Sequence, residues 1–206
     1  MQKTAEEGKM IDKKDVIEFF NGHASTWDDE IVCSDSKINT ILDNADICPG
    51  KIILDVACGT GVLVPYYLQR NVSSVTGVDI SPEMIKIAAE KFPMENVSFV
   101  CADAEKDDIG AEYDAVVVYN AFPHFSNPEL LISRLSELLK EGGTLTVAHG
   151  MSRETIDAHH KGSAHAVSNG LMQAEELAEL IGKYLTVTTV ISNDEMYQIA
   201  GKKSAL

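Results

Sequence analysis

Residues 52–61 read IILDVACGTG, and a second short run, VTGVD, ends at Asp79, twenty-four positions after Asp55. Ile52-Ile53-Leu54-Asp55-Val56 is nearly all apolar with no alternation, the pattern of a strand covered on both faces. A turn with Gly59 and Gly61 follows, then a helical segment from Val62 to about Arg70, then the second strand, Val75–Asp79. Ser81-Pro82 supplies an N-cap residue and a first-turn proline, with Met84, Ile85, Ala88, Ala89 and Phe92 on the inner face of the helix it starts. Val97–Cys101 and Tyr113–Tyr119 read as the third and fourth strands, and the acidic stretch Asp103–Asp114 between them as a loop or short helix. Asn127-Pro128 repeats the cap and proline before a helix carrying Leu130, Leu131, Leu135, Leu138 and Leu139, which Gly142-Gly143 is expected to stop before a fifth strand, Thr144–His149. Strand–helix alternation with short joins predicts a doubly wound parallel α/β sheet with right-handed crossovers. The rhythm then breaks. After a helix over Gln173–Lys183, the runs Leu185–Ser192 and Glu195–Ala200 are separated only by Asn193-Asp194, so they must pair as an antiparallel hairpin and bring the sheet to seven strands.

Upstream, Asp12–Asn21 and Ser36–Asp46 carry apolar residues at helical spacing, and Pro49-Gly50 marks a turn. This divides the chain into an N-terminal helical cap segment, 1–48, and a sheet domain, 49–206, with an inserted segment at 150–170; residues 1–10 read as a frayed, solvated start. The chain has 206 residues, a hydrophobic fraction of 45% and a formal net charge of −15. That is enough apolar material for a proper core, which excludes a disordered or disulfide-dependent chain. The acidic balance argues against nucleic acid and against anionic membrane surfaces, both of which are bound through Lys and Arg clusters. No apolar run approaches the roughly 20 residues that cross a bilayer, and Met1–Met10 is polar. The four cysteines, Cys33, Cys48, Cys58 and Cys101, form no CxxC pair, so they are expected to be reduced and the protein cytoplasmic. Cys58 and Cys101 are expected to be small buried hydrophobes.

Ligands of an open parallel sheet sit beyond the carboxyl ends of the strands. A Gly-x-Gly turn there lets backbone approach a ligand without a Cβ in the way, and an acid ending the second strand can accept from both hydroxyls of a ribose. Gly59, Gly61 and Asp79 therefore point to a nucleoside. A dinucleotide fingerprint asks for a third glycine, but Val64 stands there, and Asp55 places a negative charge where a diphosphate would lie. The same charge suits a ligand carrying an ammonium or sulfonium group.

At these residues the sequence resembles the class I S-adenosylmethionine-dependent methyltransferases. DVACGTG, GVDISPEMIKIAAE, CADAE, YDAVVVYNAFPHF and Gly142-Gly143 before TLTVAHG are similar to that family's successive motifs, over roughly residues 12–200. Ala57 stands where the family often has a glycine. The resemblance implies a Rossmann-like sheet whose last strand is inserted antiparallel, S-adenosylmethionine as cofactor with S-adenosylhomocysteine as product, and a small-molecule acceptor. It also implies roles for single residues. Asp55 would hold the methionine ammonium, while the backbone of Ala57, Gly59 and Gly61 would pass under the nucleoside. Asp79 would take the ribose hydroxyls, with Ile80 and Met84 against the adenine, and Asp103 would accept from the adenine amine beside the Ala104 backbone. Asn120 would line the methyl end, and Trp27, in HASTWDD, would close the pocket from the N-terminal side.

Five of the six histidines fall between positions 124 and 165. His149, ending the fifth strand, and His124, after the fourth, are the candidate catalytic bases, because imidazole titrates near neutral pH. His159, His160 and His165 lie in the long 150–170 connection, expected to shape an acceptor pocket or lid; their spacing is no recognised metal-ligand pattern, so no metal is expected. Arg153 there can anchor an anionic acceptor or merely balance nearby acids. Nucleobase amine methylation is disfavoured, since Asn120-Ala121-Phe122-Pro123 lacks the Pro-Pro motif of such enzymes. Two alternatives stay open: a nicotinamide-dependent oxidoreductase on a related sheet, and a non-catalytic protein that binds S-adenosylmethionine or its product. Oligomeric state is not readable.

Overall fold

The computed structural model describes the backbone of residues 11–31, 33–160 and 166–205. At its centre β1 (Ile52–Val56) runs parallel to β2 (Ser74–Asp79) on one side and β4 (Tyr113–Tyr119) on the other. β3 (Val97–Cys101) forms the edge beyond β2, and β5 (Leu139–His149) lies beyond β4. β7 (Tyr197–Lys202) then inserts antiparallel between β5 and the far edge strand β6 (Thr186–Ser192), giving the order β3-β2-β1-β4-β5-β7-β6. This is the seven-stranded, mostly parallel sheet that the strand–helix alternation predicts, with the terminal hairpin in place.

Strand alternation divides the core between two faces. Leu54, Val56, Val116 and Val118 face one side, against α6 (Pro128–Glu137) and α8 (Ala174–Gly182). Ile53, Val75, Ala115 and Val117 face the other, against α3 (Asp35–Asn44) and α4 (Val64–Gln69). α5 (Pro82–Lys91) crosses from β2 to β3, its Ser81 cap accepting from Met84 N at 3.2 Å. The N-terminal helix α1 (Lys13–His23), capped by Asp12, and the single turn α2 (Trp27–Glu30) lie over the carboxyl ends of the strands, where their side chains reach the cavity described below.

Two expectations change, the helix stop at Gly142-Gly143 and the burial of Cys101. The helix before β5 ends at Glu137, not at Gly142-Gly143, because Tyr113 N already pairs with Leu138 O and the chain enters the sheet at Leu139. The glycines form an irregularity inside β5, where a Cβ on Gly143 would lie 2.9 Å from Lys140 O. The 150–170 connection holds a helix, α7 (Arg153–His160), begun by Ser152, whose hydroxyl accepts from Thr155 N at 3.2 Å. Cys101 is exposed rather than buried, since β3 is an edge strand with one open face; all four cysteines are free thiols. The expectation for residues 1–10 lies outside the described residues, and so do the side chains of His159 and His160 and the whole of His165. Among the described residues, no helix is long and apolar enough to cross a membrane.

Candidate active site

The carboxyl ends of β1, β2 and β4 open into a cavity of about 1020 Å³, counting its mouth. Its floor is the chain from Asp55 to Gly59, turned sharply upward: Ala57 has φ +56° and Gly59 φ +55°. Left-handed backbone is nearly free for glycine, whereas at Ala57 it stores strain of about 1 kcal/mol. The turn is pinned from β2. Cys58 N donates to Val78 O at 3.0 Å, and Asp79 accepts from Gly59 N at 2.9 Å through one oxygen and from Ser81 N at 2.8 Å through the other. Those backbone donors oppose the burial that raises the Asp79 carboxyl above its ordinary range.

Asp55 is the unsatisfied group of the floor. It is 2% exposed, its Oδ2 has no hydrogen-bond partner, and burial together with the neighbouring Asp79 charge pushes its carboxyl up to about 8. An orphaned buried carboxylate oxygen costs on the order of 1–3 kcal/mol or more. A cationic ligand group in the cavity would satisfy it.

The upper wall comes from sequence-distant elements. The Lys13 ammonium, from α1, contacts Asp103 Oδ2 and reaches Glu105 Oε2 at 2.9 Å. Glu105 is buried and also accepts from Ser126 Oγ and Asn127 N at the start of α6. Asp103 is thus already engaged, its Oδ1 accepting from Glu105 N at 3.0 Å. Trp27 and Phe20 meet edge to face at 5.5 Å, and Phe20 meets His124 in the same way at 5.1 Å. His124 sits in a 3₁₀ turn (Phe122–His124) with its Nδ1 2.8 Å from Val167 O. A carbonyl only accepts, so Nδ1 carries the hydrogen and Nε2 is the basic nitrogen of the neutral ring. Asn120, with φ +53°, ends β4 and accepts from Gly150 N at 3.0 Å.

Of the residues singled out from sequence, Trp27, Asp55, Ala57, Gly59, Asp79, Ile80, Met84, Asp103, Ala104, Asn120 and His124 all line this cavity. Two do not. Gly61 turns away, and a Cβ there would come within 2.7 Å of the Phe92 ring, so packing accounts for this glycine. His149 is 2% exposed, lies edge to face on Tyr197 at 6.1 Å, its partner across the β5–β7 ladder, and is not among the residues that line the cavity. Arg153 takes the bland role: it pairs with Asp157 at 3.4 Å and donates to Leu171 O. Lys13, Phe20 and Tyr119 also line the wall, although sequence reading passed them over. Lys13 meets Asp103 from ninety residues away, and no local pattern distinguishes it from Lys14. Among the described residues, no group of three His, Cys, Asp or Glu side chains is placed to hold a metal.

Residues 53–143 match the profile of a methyltransferase-domain family. The chain is 34% identical over 139 residues to a malonyl-[acyl-carrier protein] O-methyltransferase of Acetivibrio thermocellus, a match covering 66% of this chain and 49% of that one. It is 29% identical over 143 residues to an (S)-tetrahydroprotoberberine N-methyltransferase of Eschscholzia californica, covering 68% of this chain and 40% of the relative. The chain therefore spans about half the length of these curated relatives or less. In fold it is similar to the magnesium protoporphyrin IX methyltransferase of Synechocystis PCC 6803 solved with bound S-adenosylhomocysteine, with a TM-score of 0.70, 18% identity, and coverage of 94% of this chain and 100% of that one. The N-methyltransferase NodS of Bradyrhizobium japonicum, also solved with that molecule, gives a TM-score of 0.71 at 13% identity, covering 93% of this chain and 98% of the other.

Proposed function

We propose that the chain is a class I S-adenosylmethionine-dependent methyltransferase, that its cavity binds S-adenosylmethionine and that the protein transfers the methyl group to a small-molecule acceptor in the cytoplasm; the match of residues 53–143 to a methyltransferase-domain family supports this reading. The observation that carries this reading is the orphaned Asp55 Oδ2 beside Asp79, in a cavity at the carboxyl ends of β1 and β2.

When bound, S-adenosylmethionine supplies an electrophilic methyl group on a sulfonium. The rest is done by the protein's own residues. Asp55 takes the methionine ammonium and becomes fully ionised in doing so. Asp79, already fixed by two backbone donors, keeps lone pairs for the ribose hydroxyls. Ala57 and Gly59 bring backbone close beneath the nucleoside, and Ile80 and Met84 flank the adenine beside the Ala104 backbone. Asp103 shares its carboxylate between Lys13 and the adenine amine. Asn120 and His124 border the reacting end, where His124 Nε2 accepts the proton that an oxygen, nitrogen or carbon acceptor sheds. Phe20 and Trp27 exclude water, so acceptor and methyl are held at near-attack distance.

Calorimetry with S-adenosylhomocysteine and with NAD tests the reading. The first is expected to bind and the second not, because a diphosphate would meet Asp55. Asp79→Ala is expected to abolish nucleoside binding, and near-wild-type affinity in that variant would refute the ribose assignment. Methylated product from a panel of acceptors separates an enzyme from a non-catalytic binder.

A further inference from the structure

The loop from Ala57 to Gly61 is fastened on its outer side by a charged cluster that takes no part in the steps above. Asp28, in the α2 turn, accepts from the buried Thr60 hydroxyl at 2.5 Å through Oδ1 and from the Lys91 ammonium at 2.6 Å through Oδ2. One carboxylate joins three elements: the cap, the loop between β1 and α4, and the last turn of α5. Burial works to raise the Asp28 carboxyl, but the Lys91 and Thr60 hydrogen bonds outweigh it and hold the group below its ordinary range.

The register of this contact ties it to the cavity. Trp27 and Asp28 are neighbours on the turn, and Gly59 and Thr60 are neighbours on the loop. While Asp28 holds Thr60, Trp27 Nε1 lies 3.4 Å from the point where a Cβ on Gly59 would stand, so the indole rests on the left-handed glycine of the cavity floor. On the other side of Thr60 the Phe92 ring fills the space over Gly61, and the Lys91 ammonium lies 5.5 Å from that ring's centroid. Lys91 stands two turns along α5 from Met84, which lines the cavity. α2 itself is a single turn of four residues, and one helical turn is unfavourable on its own. Phe20 supports the indole from the cavity side, and Asp28 fixes its turn from the outside. Asp28, Thr60 and Lys91 are not among the residues that line the cavity, so they act on its contents through Trp27.

Building on the reading that this cavity holds S-adenosylmethionine, we propose that Asp28 is a positioning residue: by bridging Thr60 and Lys91 it keeps Trp27 seated on Gly59 and so sets how long the nucleoside stays bound. The middle position of the Gly59-Thr60-Gly61 turn is then needed for its hydroxyl, not for its bulk.

Trp27 is the chain's single tryptophan, so its fluorescence reports this contact directly. Acrylamide quenching of the ligand-free protein is measured for wild type, Asp28→Ala, Thr60→Val, Thr60→Ser and the double variant Asp28→Ala/Thr60→Val, and then the release of S-adenosylhomocysteine by stopped flow. Asp28→Ala and Thr60→Val are each expected to raise the quenching constant about twofold and the release rate about fivefold, the scale of one charge-assisted hydrogen bond. Thr60→Ser, which keeps the hydroxyl, is expected to stay close to wild type. The double variant is expected to release no faster than Asp28→Ala, because both changes remove the same bond. Wild-type quenching and release in Asp28→Ala, a Thr60→Ser variant as fast as Thr60→Val, or additive effects in the double variant would overturn the inference. Failure of the wild-type protein to bind S-adenosylhomocysteine by calorimetry would instead overturn the methyltransferase reading, and the ligand-free quenching would still test the hold of Asp28 on Trp27.

Discussion

Asp55 shows how one side chain trades stability for binding. Its carboxyl lies near 8 in the folded chain, raised by burial and by Asp79, against roughly 3.9 for an unfolded aspartate. Between those values the folded state holds a proton that the unfolded state has lost. Folding is therefore favoured fully at low pH and loses up to about 1.4 kcal/mol per unit as pH rises toward 8. Asp55→Asn removes that loss, so its melting temperature is expected to match wild type near pH 4 and exceed it by a few degrees at pH 8.5. A ligand ammonium reverses the preference and expels the proton. Nucleoside affinity is expected to rise as pH is raised from 6 to 8, with proton release visible as a buffer-dependent calorimetric enthalpy. In Asp55→Asn that pH dependence should vanish along with most of the affinity; a wild-type binding enthalpy identical in phosphate and Tris would count against the assignment.

At the level of elements, α1 depends on residues outside itself. It has 11 residues and buries only Val16, and isolated helices shorter than about 12–15 residues are marginal in water. Two attachments dock it. Ile11 and Val16 pack with Val167 from the segment after α7, and Lys13 reaches Asp103 and Glu105 across the cavity wall. The Lys13 side chain is 35% exposed, so solvent screens the pair and its global contribution is about 1 kcal/mol. Lys13→Met is accordingly expected to lower the melting temperature by about 2–4 °C. Locally the effect should be larger: faster hydrogen exchange over 13–23, and nucleoside release several-fold faster by stopped-flow Trp27 fluorescence. Unchanged exchange in α1 would mean that the apolar contacts alone hold the helix.

For the whole molecule, the inserted β7 joins the edge strand β6 to the sheet and sets how α8 packs. Gly201 lies where a Cβ would stand 2.6 Å from Ile181 Cγ2 and 3.0 Å from Leu185 Cβ. Gly201→Val must push α8 off the sheet, a strain of about 1–3 kcal/mol. Thermal unfolding is expected to fall by about 2–12 °C, while S-adenosylhomocysteine affinity at low temperature stays near wild type, because Gly201 is remote from the cavity. A melting temperature equal to wild type would show that this interface is looser than its geometry.

Most of the sheet was legible because its signals are local. β1, β3 and β4 run over the residues that their apolar patterns mark, and Ser81 and Asn127 cap the helices that their prolines announce, Asn127 Oδ1 accepting from Leu130 N at 3.0 Å. The acids at strand ends, Asp55 and Asp79, could be placed because a parallel sheet sends the end of each strand to one side. What stayed hidden depends on partners far away in sequence. Gly142-Gly143 looks like a helix stop until β4 is beside it, and that His149 stacks on Tyr197 rather than lining the cavity is visible only once β7 is in place. The choice of His124 as the cavity's imidazole, and of Lys13 as its ammonium, is made by α1 and the 166–170 segment folding over the strand ends. Hydrophobic period and capping are written into neighbouring residues; which charged and aromatic side chains meet across the cavity is decided only by long-range packing.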